Sequence, residues 1–228
     1  MKTWPITQAQ QGIWLGQVKS PESTRYNTAE FIELNVALDS QKWLGAASRV
    51  LHRCTALNVQ FVEMSGVLSQ NPLCEAQRVK VLGEYLDLTN EVEPLDSAKR
   101  FLTNWYAQPY NLSEGHLYRH VLIKLATNHY YWALGAHHIA LDGFSFSLLT
   151  NRVVAAYDGE SVTSDEAQYL AILEEDTKYQ HSTAYAQDKA YWLETLRDFP
   201  SAATLRAGDE PSGDEKIKVA TTLSLKFN

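Results

Sequence analysis

The hydrophobic pattern of the first 110 residues predicts three helices, a strand and a hairpin. Apolar residues spaced three and four apart mark the helices, and apolar residues that alternate with polar ones mark the strands. Thr7 is suited to cap the first helix, and Asp39 or Ser40 the second. In chain order, the predicted elements are a helix over 8–19, a strand over 26–38, a helix over 40–54, a hairpin over 57–68 that turns at Ser65 and Gly66, and a helix over 94–107.

The second half of the chain contains the clearest hairpin, with strands over 117–125 and 129–136. Its second strand is rich in aromatic residues and leads directly into His137 and His138. We therefore expect a central strand that delivers two imidazoles to the end of a sheet. Ser145 has the chemistry of an N-cap. The helices predicted after it cover 145–157, 166–181 and 183–197.

Strands that alternate with helices predict an α/β fold, an α+β sandwich with a mixed sheet and helices packed on it. We expect one lobe over 1–197. The stretch 198–217 is rich in Ala, Gly, Ser, Asp and Pro and predicts a linker. Alternating residues then predict a strand over 218–228. A single strand after a linker indicates a fragment whose partner structure is missing.

Composition and charge exclude several classes of function. The 228 residues carry a net charge of −7 with scattered Lys and Arg, whereas nucleic-acid binding normally needs a basic patch. No apolar run approaches the ~20 residues that span a bilayer, and no secretory signal is evident. Cys54 and Cys74 fit no metal or redox motif, which favours free thiols in a reducing compartment. We expect a soluble, cytoplasmic protein without nucleic-acid or membrane partners.

His137 and His138, followed by Asp142 and Gly143, form the arrangement with the most evident chemistry. Neighbouring side chains on a strand point to opposite faces, so we assign one histidine to packing and the other to the site. An imidazole with its ordinary pKa of about 6.5 can accept a proton from an attacking amine or hydroxyl at neutral pH. Such a base typically contributes about 10²–10⁴-fold to a rate.

Asp142 and Gly143 are suited to shape the turn that follows the histidines. We expect Asp142 to hold the turn by pairing with an arginine. Gly143 lets the backbone approach a substrate and leaves its N–H at a helix start, where developing negative charge is favoured. His116 and His120 are four apart, but on a strand-like segment rather than a helix, so we expect no metal site.

The run His137-His138-x-x-x-Asp142-Gly143 resembles the HHxxxDG signature of condensation domains in nonribosomal peptide synthetases, members of the chloramphenicol acetyltransferase-like superfamily. Further segments resemble family motifs in the family's order: 6–14, 110–112 with 115–119, Ser145 after Asp142-Gly143, and 174–176 followed by 190–192. The chain looks most similar to the first condensation domain of enterobactin-type siderophore synthetases.

This resemblance implies a reaction and its partners. In the family, two pseudo-symmetric lobes form a V around a tunnel; this chain would supply the N-terminal lobe, and 218–228 would begin the C-terminal lobe. A donor acyl group arrives as a thioester on the phosphopantetheine arm of a peptidyl or aryl carrier protein. The amine of an amino acid on a second carrier attacks it and forms an amide. The implied partners are these carriers, the C-terminal lobe and an adjacent adenylation domain, with no cofactor bound by the lobe itself. We expect the fragment to be inactive alone.

The resemblance also implies residue roles. His138 would be the catalytic residue, as a base or by positioning the amine. His137 and Asp142 would be mainly structural, and Gly143 would line the tunnel. An arginine of the family's second motif usually pairs with the signature aspartate. Here that motif reads Arg53-Cys54-Thr55-Ala56-Leu57-Asn58, with Asn58 where the second arginine would stand. Arg53 and Arg119 are the candidate substitutes.

Three other functions share part of the pattern. A coenzyme A-dependent small-molecule acyltransferase carries HHxxxDG near its C-terminus, whereas about 85 residues follow Gly143 here. An epimerization domain shares the signature, but the opening segment over 10–14 looks more like condensation. A docking lobe that binds carrier proteins without catalysis is the alternative from another class. Transfer that is lost in His138→Ala while carrier binding persists would exclude it.

Overall fold

Seven α-helices and six strands, with a short 3₁₀ helix over Thr55–Leu57, form the described part of the chain, residues 3–78 and 83–198 of a computed structural model. In chain order they are α1 (Gln8–Val18), β1 (Asn27–Leu34), α2 (Ser40–Arg53), β2 (Val59–Met64), β3 (Val67–Pro72), α3 (Glu75–Arg78), β4 (Glu84–Asp87), α4 (Pro94–Tyr106), β5 (Tyr118–Ala126), β6 (His129–His137), α5 (Gly143–Tyr157), α6 (Glu166–Gln180) and α7 (Thr183–Thr195).

A mixed sheet in the order β1-β6-β5-β4 positions the candidate site. β6 pairs antiparallel with β1 and β5, and β4 joins β5 in parallel. The strand that ends in His137 therefore has a hydrogen-bonded neighbour on each side, which confirms the prediction of a central strand. The mixed α/β architecture predicted from the pattern of strands and helices is also confirmed.

Both faces of β6 are buried. Successive side chains of a strand point to opposite faces, so each face of β6 packs in its own core. On one face Trp132 and Leu134 belong to the core that α2 and α5 cover. On the other face Ala133 packs in the core that includes Trp105 of α4. Burial of one side chain of the size of Leu134 contributes roughly 1.5–3 kcal/mol. The packing on both faces fixes the end of β6 at which the two histidines lie.

The first two helices begin where the sequence predicts them. Thr7 caps α1 in a capping box: its Oγ1 accepts the N–H of Gln10 at 3.2 Å, and the Gln10 side chain accepts the N–H of Thr7 at 3.0 Å. Asp39 caps α2 by accepting the N–H of Lys42 at 3.0 Å. Of the two predicted caps for α2, Asp39 is therefore the one used.

A polar network holds α1 against the hairpin of β2 and β3. Trp4 pairs with Gln70 through two backbone hydrogen bonds of 2.8 and 3.0 Å. The amide of Gln10 donates to the hydroxyl of Tyr169 at 3.1 Å, and that hydroxyl donates to Gln70 at 2.6 Å. Because the network joins α1, β3 and α6, it fixes the position of the helix that approaches His137.

Several boundaries differ from the predictions. The helix predicted from Ser145 begins at Gly143, because Asp142 rather than Ser145 is its N-cap. The first strand ends at Leu34, and the predicted hairpin continues to Pro72. The hairpin turns at Ser65 and Gly66, as predicted, with φ of 53° and 80°. The short elements α3 and β4 were not predicted.

Residues 3–180 of the described chain form one compact unit, and α7 belongs to a second. The predicted linker over 198–217, apart from Asp198, and the predicted strand over 218–228 lie outside the described residues. Within 3–78 and 83–198, no helix is both long and apolar enough to cross a membrane.

Candidate active site at the end of the central strand

The backbones of the two histidines are held by different neighbours. The N–H of His137 donates to the carbonyl of Leu117 at 2.9 Å, ahead of β5. The N–H of His138 donates to the carbonyl of Tyr26 at 2.8 Å, ahead of β1. The end of β6 is therefore clamped from both sides, and the chain turns immediately afterwards, where the N–H of Ala140 donates to the carbonyl of His137 at 2.9 Å.

His137 is the histidine used in packing, with 1% of its surface exposed. Its ring lies between Tyr26 and Tyr110, at centroid distances of 5.9 and 6.1 Å. Nδ1 lies 3.1 Å from the backbone nitrogen of Ile139, and Nε2 lies 3.2 Å from Oε1 of Gln17. Both ring nitrogens therefore have partners inside the protein.

Burial, with a smaller contribution from the neighbouring His138, lowers the pKa of His137 to about 4. Desolvation disfavours the charged imidazolium, and no carboxylate of the described residues offsets that cost. His137 is therefore neutral at pH 7 and has no free lone pair to offer a substrate.

The side chain of His138, in contrast, is exposed. Its Nδ1 lies 2.7 Å from the carbonyl oxygen of Leu141. A carbonyl can only accept, so Nδ1 carries the proton and donates it, and the lone pair of the neutral ring is on Nε2. No described residue forms a hydrogen bond to Nε2. This is the geometry that a general base needs: one nitrogen oriented by the protein, the other open to a reactant.

Asp142 caps α5 directly after this turn. Its Oδ1 accepts the backbone N–H of Ser145 at 2.9 Å and the hydroxyl of Ser145 at 2.6 Å. These two hydrogen bonds lower the pKa of the Asp142 carboxyl. Asp142 therefore fixes the junction between β6 and α5 by binding Ser145 in the first turn of α5.

Gly143 is the first residue of α5, and a Cβ added there would meet no atom within 4 Å. Within the described residues, no packing contact thus requires glycine at this position. The expectation that Gly143 leaves room for a substrate stays a prediction.

The expected arginine partner of Asp142 is not found among the described residues. Arg119 donates instead to the carbonyls of Trp105, Gln108 and Pro109 at 3.0–3.1 Å, and its guanidinium lies 4.0 Å from the centroid of the Tyr110 ring. Arg53 is exposed in the last turn of α2 and forms no ion pair within the described part of the chain. Arg119 therefore supports the ring that packs on His137 rather than the signature carboxylate.

Three residues around His137 were not predicted from the sequence to belong to the site. Gln17 and Tyr26 come from α1 and from the segment before β1, and Tyr110 precedes β5. Gly16 provides a detectable signal, because a Cβ there would lie 2.1 Å from the Tyr26 hydroxyl, so only glycine lets α1 approach that ring. Nothing in the linear pattern pairs Gln17 with a histidine 120 positions later.

A cavity of about 410 Å³ is lined in part by Gln17 and Tyr110, two residues that contact His137. His138, Asp142 and Gly143 do not line it. Among the described residues no group of three or more His, Cys, Asp or Glu side chains could hold a metal ion.

Comparison with known proteins identifies the family. The family model for the condensation domain matches residues 1–227. The chain belongs to the condensation domain family. It is 34% identical over 209 residues to an isonitrile lipopeptide synthase of Streptomyces coeruleorubidus, covering 88% of this chain and 14% of that protein. It is 29% identical over 229 residues to enterobactin synthase component F of Escherichia coli K12, covering 98% of this chain and 18% of that protein.

Solved condensation domains share the fold. The starter condensation domain of rhizomide synthetase, as a mutant in complex with C8-CoA, is 30% identical with a TM-score of 0.81, covering 92% of this chain and 49% of that chain. The first condensation domain of the calcium-dependent antibiotic synthetase, in complex with a substrate analogue, is 26% identical with a TM-score of 0.75, covering 88% of this chain and 48% of that chain. The chain thus spans about half the length of these solved domains and less than a fifth of the curated relatives.

Proposed function

We propose that this chain is the N-terminal lobe of a condensation domain that forms amide bonds in nonribosomal peptide synthesis. The observation that carries the proposal is the imidazole of His138, which is exposed and held through Nδ1 by the carbonyl of Leu141 at 2.7 Å. Nε2, to which no described residue forms a hydrogen bond, is available to a reactant, and the family match over residues 1–227 supplies the reaction class.

In the proposed reaction an amine attacks the thioester of a donor acyl group. The new bond joins the amine nitrogen to the carbonyl carbon, the carbon–sulfur bond breaks, and the phosphopantetheine thiolate leaves. The proton of the amine passes to Nε2 of His138, and the imidazolium then gives a proton to the departing sulfur. The carbonyl oxygen gains negative charge in between and loses it when the carbon–sulfur bond breaks.

Positioning is expected to supply much of the acceleration, because amine attack on a thioester is downhill chemistry. Well-oriented reactants gain effective molarities of about 10⁵ M and above. We therefore propose that a C-terminal lobe completes a tunnel over the open surface around His138. Donor and acceptor carrier domains would deliver their phosphopantetheine arms to the two ends of this tunnel, next to an adenylation domain, in the cytoplasm. Gly143 would line the tunnel.

A second candidate donor has support from the comparisons. The rhizomide starter domain was solved as a mutant in complex with C8-CoA and Leu-SNAC, at 30% identity to this chain and a TM-score of 0.80. Coenzyme A ends in the same pantetheine thiol as a carrier arm. A starter-type domain would therefore accept an acyl group from coenzyme A and transfer it to the amine of a carrier-bound or thioester-activated amino acid.

Intact-mass analysis tests the proposal. The complete condensation domain that contains this chain is incubated with a loaded acceptor carrier and either a donor carrier or an acyl-CoA. We expect the acceptor carrier to gain the mass of the acyl group and the donor thiol to become free. His138→Ala should slow this transfer by about 10²–10⁴-fold while both carriers still bind. Equal transfer by His138→Ala would contradict the proposal, and carrier binding without transfer by the wild type would favour a docking lobe.

A further inference from the structure

The side-chain amide of Gln17 has only one orientation that fits its surroundings. Its nitrogen lies 2.8, 3.1 and 3.3 Å from the backbone carbonyls of Pro21, Ser23 and Ser20. Carbonyls accept and do not donate, so this side of the amide must be the NH₂ group. Gln17 is 4% exposed, and its oxygen must therefore point the other way, at His137.

This orientation selects one neutral form of the His137 ring. The oxygen of Gln17 accepts, so Nε2 of His137, 3.2 Å away, must carry the proton. The other nitrogen, Nδ1, then accepts the backbone N–H of Ile139 at 3.1 Å. If the ring had its proton on Nδ1 instead, two donors would face each other at Ile139 and two acceptors would face each other at Gln17.

The ring form of His137 is connected to His138 through the turn that follows. Ile139 is the second residue after His137, and the N–H of Ala140 donates to the carbonyl of His137 at 2.9 Å. The carbonyl of Leu141 ends this turn and accepts the proton of Nδ1 on His138 at 2.7 Å. A turn that loses its contact at Ile139 would shift the carbonyl that orients the His138 ring.

We propose that Gln17 is a positioning residue for acyl transfer: it holds His137 in the Nε2–H form, and His137 in that form holds the turn that aims Nε2 of His138 at the reactants. This inference rests on the proposed function for its effect on rate, whereas its statement about the His137 ring can be tested without turnover. Gln17 itself contacts His137 and not the reacting atoms.

The substitution Gln17→Met tests the proposal, because it keeps the length of the side chain and removes both the acceptor and the donors. Gln11→Met is the matched control: it makes the same change on the same helix at an exposed position. In Gln17→Met we expect His137 to populate both ring forms in long-range ¹H–¹⁵N NMR spectra. In the complete domain we expect kcat to fall by about 10-fold to 100-fold, the range for a displacement of up to ~1 Å, with KM unchanged.

Three results would overturn the proposal. One is a Gln17→Met variant that transfers at the rate of Gln11→Met. Another is a Gln17→Met variant in which His137 keeps its ring form and the slower transfer comes only from a higher KM or from a smaller fraction of folded protein. The third needs no variant: an Nδ1–H form of His137 in the wild-type spectrum. A wild type that transfers no acyl group at all would instead contradict the proposed function. The NMR spectra would still show whether Gln17 sets the ring form of His137.

Discussion

His137 and His138 are neighbours in the sequence and have opposite surroundings. His137 is 1% exposed, lies between two tyrosine rings, and has a protein partner at each nitrogen. His138 is exposed and has a partner at Nδ1 alone among the described residues. The strand ends between them, so one side chain stays in the packed layer while the next leaves it.

The difference shows how a pair of identical residues is divided between structure and chemistry. A ring that is bonded at both nitrogens cannot take a proton from a reactant, but it can fix the backbone around it. A ring bonded at one nitrogen is oriented and still has a lone pair. The contrast makes the two residues separable by experiment, since the loss of His138 should affect the rate alone, whereas the loss of His137 should lower the stability as well.

The largest expected effect is on the rate, in His138→Ala. Because the side chain is exposed, its loss should change the free energy of unfolding by less than about 0.5 kcal/mol. Single-turnover transfer should slow by about 10²–10⁴-fold. Urea unfolding measured beside the transfer assay separates the two quantities. A variant that is strongly destabilised would contradict the division of roles.

A large loss of stability is expected for His137→Ala, in addition to the slower transfer that follows from its role in holding the turn. The substitution opens a cavity and leaves the oxygen of Gln17 and the N–H of Ile139 without their partner. We expect the free energy of unfolding to fall by roughly 2–4 kcal/mol, measured by urea unfolding. A loss below about 0.5 kcal/mol, the range of surface substitutions, would show that this histidine does not hold the junction.

Acid should destabilise the protein through its buried histidines. Burial lowers the pKa of His137 and of His120 to about 4 each, below the value of about 6.5 in the unfolded chain. Between pH 6.5 and pH 4 the unfolded state therefore binds more protons than the folded state. The contribution of these histidines to the free energy of unfolding is fully present above pH 6.5 and is lost as the pH falls to 4. A shift from 6.5 to 4 corresponds to roughly 3 kcal/mol per histidine.

Unfolding midpoints in urea measured between pH 7 and pH 4 check this expectation. His137→Phe keeps a ring of similar size and removes the titrating group, so its stability should depend less on pH than that of the wild type. An equal dependence in both proteins would show that His137 is not buried in its neutral form.

The smallest expected effect separates the cap of α5 from the charge of Asp142. Asparagine caps a helix about as well as aspartate, whereas alanine does not. Asp142→Asn should therefore leave the unfolding free energy nearly unchanged, and Asp142→Ala should lower it by about 1 kcal/mol. Equal losses in both variants would indicate that an ion pair, rather than the cap seen at Ser145, sets the role of Asp142.

Local patterns in the sequence predict most of the elements around the site. The alternation before His137 predicts β6, and the apolar spacing after Gly143 predicts α5, because both depend on residues close together in the chain. The motif also places His138, Asp142 and Gly143 at one turn. The prediction that Ser145 caps this helix was wrong, because Asp142 can cap as well and only the backbone conformation decides which residue does.

Contacts between distant segments could not be predicted from local patterns in the sequence. Arg119 was one of two candidate partners of Asp142, but it binds backbone carbonyls at and after the end of α4, a target without any side-chain signature. Gln17 reaches His137 only because α1 packs where Gly16 allows Tyr26 to approach. Such partners depend on how helices pack on the sheet, and the local patterns of hydrophobic and polar residues do not reveal that packing.

The ring form of His138 tests the proposed role of this histidine as a base most directly. Long-range ¹H–¹⁵N NMR of the histidine-labelled chain, at a pH where the rings are neutral, reports which nitrogen of each ring holds the proton. We predict opposite forms for the two neighbours, with the proton on Nε2 of His137 and on Nδ1 of His138. A proton on Nε2 of His138 would contradict the account, because the nitrogen that should accept a proton from the attacking amine would then have no lone pair.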